Sequence, residues 1–288
     1  MKAVNCRDSR RKADNTGAAG ALGALRGRAL RAAAWQTTLG LFFFGLGTSA
    51  SATPTTASLH VKVVPIPVNQ RVASGPSYPH TGNVLGEGAA FEGELQIHGD
   101  EYGGFPPPLT GVEIFVPSGF ELHPQGFPIC PQPVLESHEV ANCPKLSQLA
   151  TGSASGVVSF GASRVHETLS LQGFFAAGGR LAYYAEGTSP SLIEILEFGT
   201  VTGAGGVFGH KYTAPVPLVT TVPEAPYAVV LSIHLRIGAA YRQGTRVIPY
   251  VTLPTRCPKS GLPTRVRLSF LTGAPVQIDL ALPCPARH

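Results

Sequence analysis

The 288-residue chain carries 22 Lys and Arg against 17 Asp and Glu, a formal net charge of +5, and a basic balance of that size would suggest an anionic partner. Eight of the basic residues, Lys2, Arg7, Arg10, Arg11, Lys12, Arg26, Arg28 and Arg31, precede Thr53 with only Asp8 and Asp14, leaving 14 basic and 15 acidic residues beyond. That remainder has no clustered positive run to displace counterions from phosphates, so a nucleic-acid partner is not expected.

The basic stretch ends at Arg31 and is followed by Ala32 to Gly47, whose apolar core, Leu39 to Leu46, is too short to span a bilayer comfortably. Small residues come next, and both Thr48-Ser49-Ala50 and Ala50-Ser51-Ala52 offer the small-x-small pattern of a signal-peptidase site. Residues 1–52 are therefore expected to be a cleaved signal peptide with a long basic n-region, the rival being an uncleaved anchor. Contact with a membrane is then confined to export, and the protein is placed outside the cell or on the extracellular side of its envelope. Cys6 lies far before the apolar run, so no lipoprotein anchor is implied. Trp35 and Met1 are the single representatives of their types, which leaves the core to Val, Leu, Ile, Phe and Tyr.

From Thr53 to His288 a single domain is expected. Side chains alternate between apolar and polar with the strand period of two in segments separated by Gly and Pro clusters. Strands are predicted at Leu59 to Val64, Phe91 to His98, Val112 to Val116, Val157 to Phe160, Val165 to Phe175 and Arg180 to Glu186. More follow at Val207 to Thr213, Val229 to Ile237 and Val247 to Leu253. Val266 to Phe270 and Val276 to Leu282 flank Thr272-Gly273-Ala274-Pro275, a hairpin signal. Pro190 to Phe198 reads equally as a short helix or a strand. Roughly ten strands and no long amphipathic helix predict an all-β fold, an antiparallel β-sandwich.

Four cysteines remain once Cys6 is removed with the leader: Cys130, Cys143, Cys257 and Cys284, each followed by Pro. An even number in an exported chain predicts two disulfides. Local closure, Cys130 with Cys143 and Cys257 with Cys284, needs no assumption about how distant strands pair; the two crossed pairings remain open. Zinc ligation would want close C-x2-C pairs, which are missing.

The run Val112 to Cys130, then Asn142-Cys143-Pro144-Lys145 leading to Thr151-Gly152-Ser153-Ala154, and finally Arg256-Cys257-Pro258 and Leu282-Pro283-Cys284, resembles a family of uncharacterised exported proteins from high-G+C actinobacteria. The resemblance covers about residues 85 to 285, with Pro117-Ser118-Gly119 in place of a double-proline turn. It implies a β-rich exported fold and supplies no catalytic residue.

No G-x-S-x-G, H-E-x-x-H, Walker or dinucleotide fingerprint occurs beyond residue 52. The densest polar group is Glu92, Glu94, Gln96, His98, Asp100 and Glu101, where i, i+2 spacing aligns side chains on one sheet face. A solvated strand face accounts for it more simply than a metal or acid–base site. Glu136, His138 and Glu139 fall between two cysteines and read as surface residues. His234 beside Arg236 could meet an anion. No catalytic residue, cofactor or metal is assigned.

Three functions are compatible with this reading. The first is a non-enzymatic structural or interaction protein of the cell envelope or exterior, with an envelope protein or polysaccharide as partner. The second is a carbohydrate-binding module presenting Tyr183, Tyr184, Tyr241 or Tyr250. The third is a secreted hydrolase with a carboxylate- or His-based site.

Overall fold

A computed structural model describes residues 52–64, 66, 84–161, 163–189, 192–244 and 246–284. The expected signal segment, apart from Ala52, lies outside the described residues. Alternating side chains form strands where the sequence predicts them, in β1 (Thr56–Val64), β2 (Ala90–His98) and β3 (Leu109–Pro117), and a short strand the sequence did not predict, β4 (Glu121–Leu122), follows. The centre of the chain is a meander of β5 (Gln148–Phe160), β6 (Ser163–Phe175), β7 (Arg180–Gly187), β8 (Ile193–Gly203) and β9 (Phe208–Pro215). Then come β10 (Val229–Ile237), β11 (Ala240–Gln243), β12 (Arg246–Pro249) and β13 (Val251–Thr252), and a last hairpin of β14 (Leu262–Phe270) and β15 (Val276–Leu282). One short helix, α1 (Gln132–Glu136), begins with Pro133 in its first turn. The ambiguous segment near Phe198 is a strand.

The all-β antiparallel expectation is met by one long sheet that closes over on itself. Eleven strands pair in the order β1-β2-β10-β5-β6-β7-β8-β9-β3-β14-β15. The end strands β1 and β15 approach each other with no ladder between them among the described residues. Such curling hides one face of the sheet without a second one. Leu59, Leu95, Ile97, Ile233, Val266 and Leu268 pack together toward one end of this concave face. Toward the other end, Val61, Phe91, Leu149, Phe175, Leu181 and Ile237 join residues of the β4, β11 and β13 region.

β5 begins nine residues before the predicted Val157. Its first half, Leu-Ala-Thr-Gly-Ser-Ala-Ser-Gly, is poor in bulky β-formers, yet it pairs with both β6 and β10. A Cβ at Gly152 would run into the His234 carbonyl and the Leu235 Cα, so close backbone approach demands glycine there. Tertiary pairing overrides weak local propensity in this strand.

The two ends of the sheet are built differently. At one end Phe127 packs on Phe175 and Tyr241 with ring centroids 4.7 and 4.9 Å apart, and Phe175 packs on Tyr250 at 4.9 Å, forming an aromatic plug. Strand direction puts the connections 99–108, 216–228 and 271–275 at the opposite end.

Disulfides join Cys130 to Cys143 and Cys257 to Cys284, with Cα atoms 4.9 and 5.8 Å apart. The first closes a loop carrying α1 over the outer face of β7 and β8, where Cys130, Leu135, Cys143, Ala182 and Tyr184 form a satellite core with Leu196 and Phe198. The second ties the segment after β13 to the end of β15. Replacing Cys130 and Cys143 together by Ala is expected to lower the unfolding free energy in urea titration by about 3 kcal/mol, the entropy of closing a loop of roughly 14 residues. A loss below about 1 kcal/mol would show that packing alone holds the loop.

Candidate binding site at the loop end of the sheet

Cross-strand register brings the sequence-predicted polar residues of β2 beside new partners. Lys62 and Arg236 stand opposite Glu92, and His60 and His234 opposite Glu94. Glu92 Oε1 lies 3.1 Å from Lys62 Nζ and 3.2 Å from His234 Nε2. These hydrogen bonds, that of Lys62 first and then that of His234, hold the Glu92 carboxyl below its ordinary range. Gln96 donates to Glu94 at 2.8 Å. The His234 imidazole thus faces a carboxylate of its own sheet.

Asp100 and Glu101 separate from this group. They lie beyond the end of β2 and accept hydrogen bonds from the backbone and hydroxyls of Thr53 and Thr55, anchoring the start of β1. Among the described residues no group of three or more His, Cys, Asp or Glu is placed to hold a metal ion.

Within the disulfide loop Glu136 accepts from Gln132 and Glu139 from Asn142, both local contacts. His138 does more than decorate the surface. It adopts φ +61°, uncommon for a side chain with a Cβ, and its Nδ1 lies 3.1 Å from Glu194 Oε2. The other Glu194 oxygen accepts the Tyr184 hydroxyl at 2.7 Å. Bonds from Tyr184 and then His138 lower the Glu194 carboxyl, while burial and then the Glu194 contact raise the Tyr184 phenol. Both carboxylate oxygens are engaged, so the trio clamps the loop to the sheet.

A second polar group, unpredicted from sequence, lies on the concave face. Glu197 pairs in register with Tyr183, and the rings of Tyr183 and Tyr212 meet edge to face at 5.9 Å. Tyr183 lies over Gly173 and Tyr212 over Gly199, where a Cβ would collide with the rings. Burial pushes the Glu197 carboxyl up to about 7 and Tyr250 up to about 12. Tyr212 is raised by burial first, then by the charges of Tyr183 and Glu197.

An acid raised in the folded state binds a proton that the unfolded chain releases at its ordinary pKa. The corresponding stability is complete below the ordinary carboxyl value of 4.5 and is lost as the pH climbs through about 7. Glu197→Gln is expected to remove this slope and to raise stability by up to about 3 kcal/mol at a pH of about 8. Urea titrations across that range check it, and an unchanged slope would contradict it. The lowered Glu92 and Glu194 carboxyls, and that of Asp279, held low by hydrogen bonds from Arg265 and then Gln277, act in a separate, more acidic window, where stability is lost as the pH falls.

The four tyrosines considered as a sugar platform do not form one. Tyr184 and Tyr250 are 1% and 6% exposed, Tyr183 faces inward, and Tyr241 packs on Phe127 and donates to the Gln125 carbonyl. Two other tyrosines, Tyr102 and Tyr227, are part of a hollow elsewhere. At the loop end, Tyr102, Gly103, Arg164, Thr220, Glu224, Ala225, Pro226 and Tyr227 line an open hollow of about 600 Å3. Tyr102 accepts the Tyr227 backbone N–H at 3.1 Å, joining the two loops. The Arg164 guanidinium carbon lies 5.5 Å from the Tyr102 ring centre and 5.6 Å from that of Phe105. Gly103 has φ +66°, and a Cβ there would press on Arg164 Nη2, so glycine both makes the turn and admits the guanidinium. Among the described residues Arg164 has no ion pair or hydrogen bond, and its Nη1 is buried without an acceptor.

The fold and this hollow define an all-β, disulfide-closed domain with a cation held between aromatic rings at its loop end. The chain matches no family model, no curated protein and no solved structure. The one sequence cue to the hollow was aromatic residues set among Gly and Pro, in Tyr-Gly-Gly-Phe-Pro-Pro-Pro and Val-Pro-Glu-Ala-Pro-Tyr.

Proposed function

We propose that this protein is an exported, non-enzymatic interaction module of the cell envelope or exterior, engaging its partner through the loop end of the sheet. The observation that carries it is Arg164, which makes no ion pair among the described residues and lies in an open hollow walled by Tyr102 and Tyr227. Formed disulfides fit an oxidising compartment. The leader-like first 52 residues and the motif resemblance to exported actinobacterial proteins support the same location. Among the described residues no helix is long and apolar enough to cross a membrane.

Among the described residues each imidazole–carboxylate pair is closed by a third group: His234 with Glu92 by Lys62, His138 with Glu194 by Tyr184, and His123 with Glu121 by the Thr252 hydroxyl, 3.0 Å from the same His123 nitrogen. That closure favours clamps over a hydrolytic dyad. The purified chain is expected to be retained by an isolated cell-envelope fraction in a sedimentation assay, and to leave chromogenic ester, glycoside and peptide substrates intact. No retention would count against the interaction role. Turnover lost on changing Glu92, Glu94 or His98 to Ala would replace it with hydrolysis.

A further inference from the structure

We infer that the hollow at Arg164 binds an acidic saccharide, its carboxylate on the guanidinium and its sugar ring beside Tyr102 and Tyr227. The assignment rests on the interaction role proposed above and names the ligand class of that same site.

Three features of the hollow select this chemistry. A guanidinium carries five N–H donors in a planar fork that matches a carboxylate, and here none of them is used by a protein acceptor among the described residues. The rings of Tyr102 and Phe105 hold the group in place, so the entropy of ordering a long side chain is spent before a ligand arrives. The rest of the lining suits a polyhydroxylated ring: two tyrosines, the Thr220 hydroxyl, and the Glu224 carboxylate as an acceptor for sugar hydroxyls. Glu224 is the acidic residue of the lining, and it disfavours a ligand with negative charge on every side. A uronate, one carboxylate on a neutral ring, satisfies both charges. The hollow also has the size for such a unit, since small-ligand sites usually run from about 300 to 1,000 Å3.

The test is isothermal titration of the purified chain with a short oligogalacturonate, a neutral oligogalactose of equal length, and a dipeptide with a free C-terminal carboxylate. Saturable binding of the uronate, at least about tenfold tighter than of the neutral sugar and weakened by salt, is the expected result. Arg164→Gln should lose about tenfold in affinity with the melting profile kept, and Arg164→Lys, a point charge without the fork, should recover part of it. Should Arg164→Gln fail to fold, the salt dependence on the unmodified chain and its preference over the neutral sugar decide the matter.

Equal binding of the neutral sugar, or binding of the dipeptide alone, would overturn the uronate assignment. Retention on envelope without any uronate affinity would overturn it too, while leaving the interaction role standing. Loss of both would remove the two together.

Discussion

Burial of the concave face of one continuous antiparallel ladder is the constraint on which the rest of this structure depends. A sheet closing on itself must pair the backbone of every interior strand and fit its inward side chains within a narrow curve. The fit is made by alternating bulk with its absence. Tyr183 and Tyr212 occupy space vacated at Gly173 and Gly199, and Gly152 lets β5 come up against β10. These glycines are poor strand formers in isolation. They persist because the neighbouring strands leave no room for a Cβ.

From that closure follows the difference between the ends. Where Phe127, Phe175, Tyr241 and Tyr250 interlock, the interior is sealed by side chains that have few conformational alternatives. The other end is covered by loops rich in proline, which cannot donate to a ladder and so stay outside the sheet. Loops can present groups that a packed strand cannot. Arg164, at the start of β6, meets Tyr102 and Phe105 there instead of a neighbouring carboxylate.

Charge is otherwise used to fasten things. Glu92 joins β1, β2 and β10 through Lys62 and His234, Glu194 pins the Cys130–Cys143 loop to β8, and Asp100 and Glu101 hold the start of β1. Exposed pairs of this kind contribute little individually. Their value lies in fixing register and loop position. The arginine in the loop-end hollow differs from these in making no ion pair among the described residues.

The class of the fold was legible in the chain itself, because alternation in Phe91 to His98, Val229 to Ile237 and the Val266–Leu282 hairpin reports which face of each strand is dry. The four cysteines and their spacing likewise narrowed the cross-links to three pairings. Local rules lost their hold where a residue's state is set by distant neighbours. Gln148 to Gly156 became a central strand through β10 and β6, and within the ambiguous segment Ile193 to Phe198 was decided in favour of a strand by β7. The candidate site was of the same kind. Tyr102, Arg164 and Tyr227 stand far apart in the chain, and nothing periodic links them. Sequence alone determined that this is a β protein closed by disulfides, since pattern and composition act over a few residues. Only the tertiary structure decided that one sheet would curl on itself, which tyrosines would be buried, and which arginine would stand between aromatic rings. Those outcomes depend on strand register and loop packing between segments up to more than a hundred residues apart.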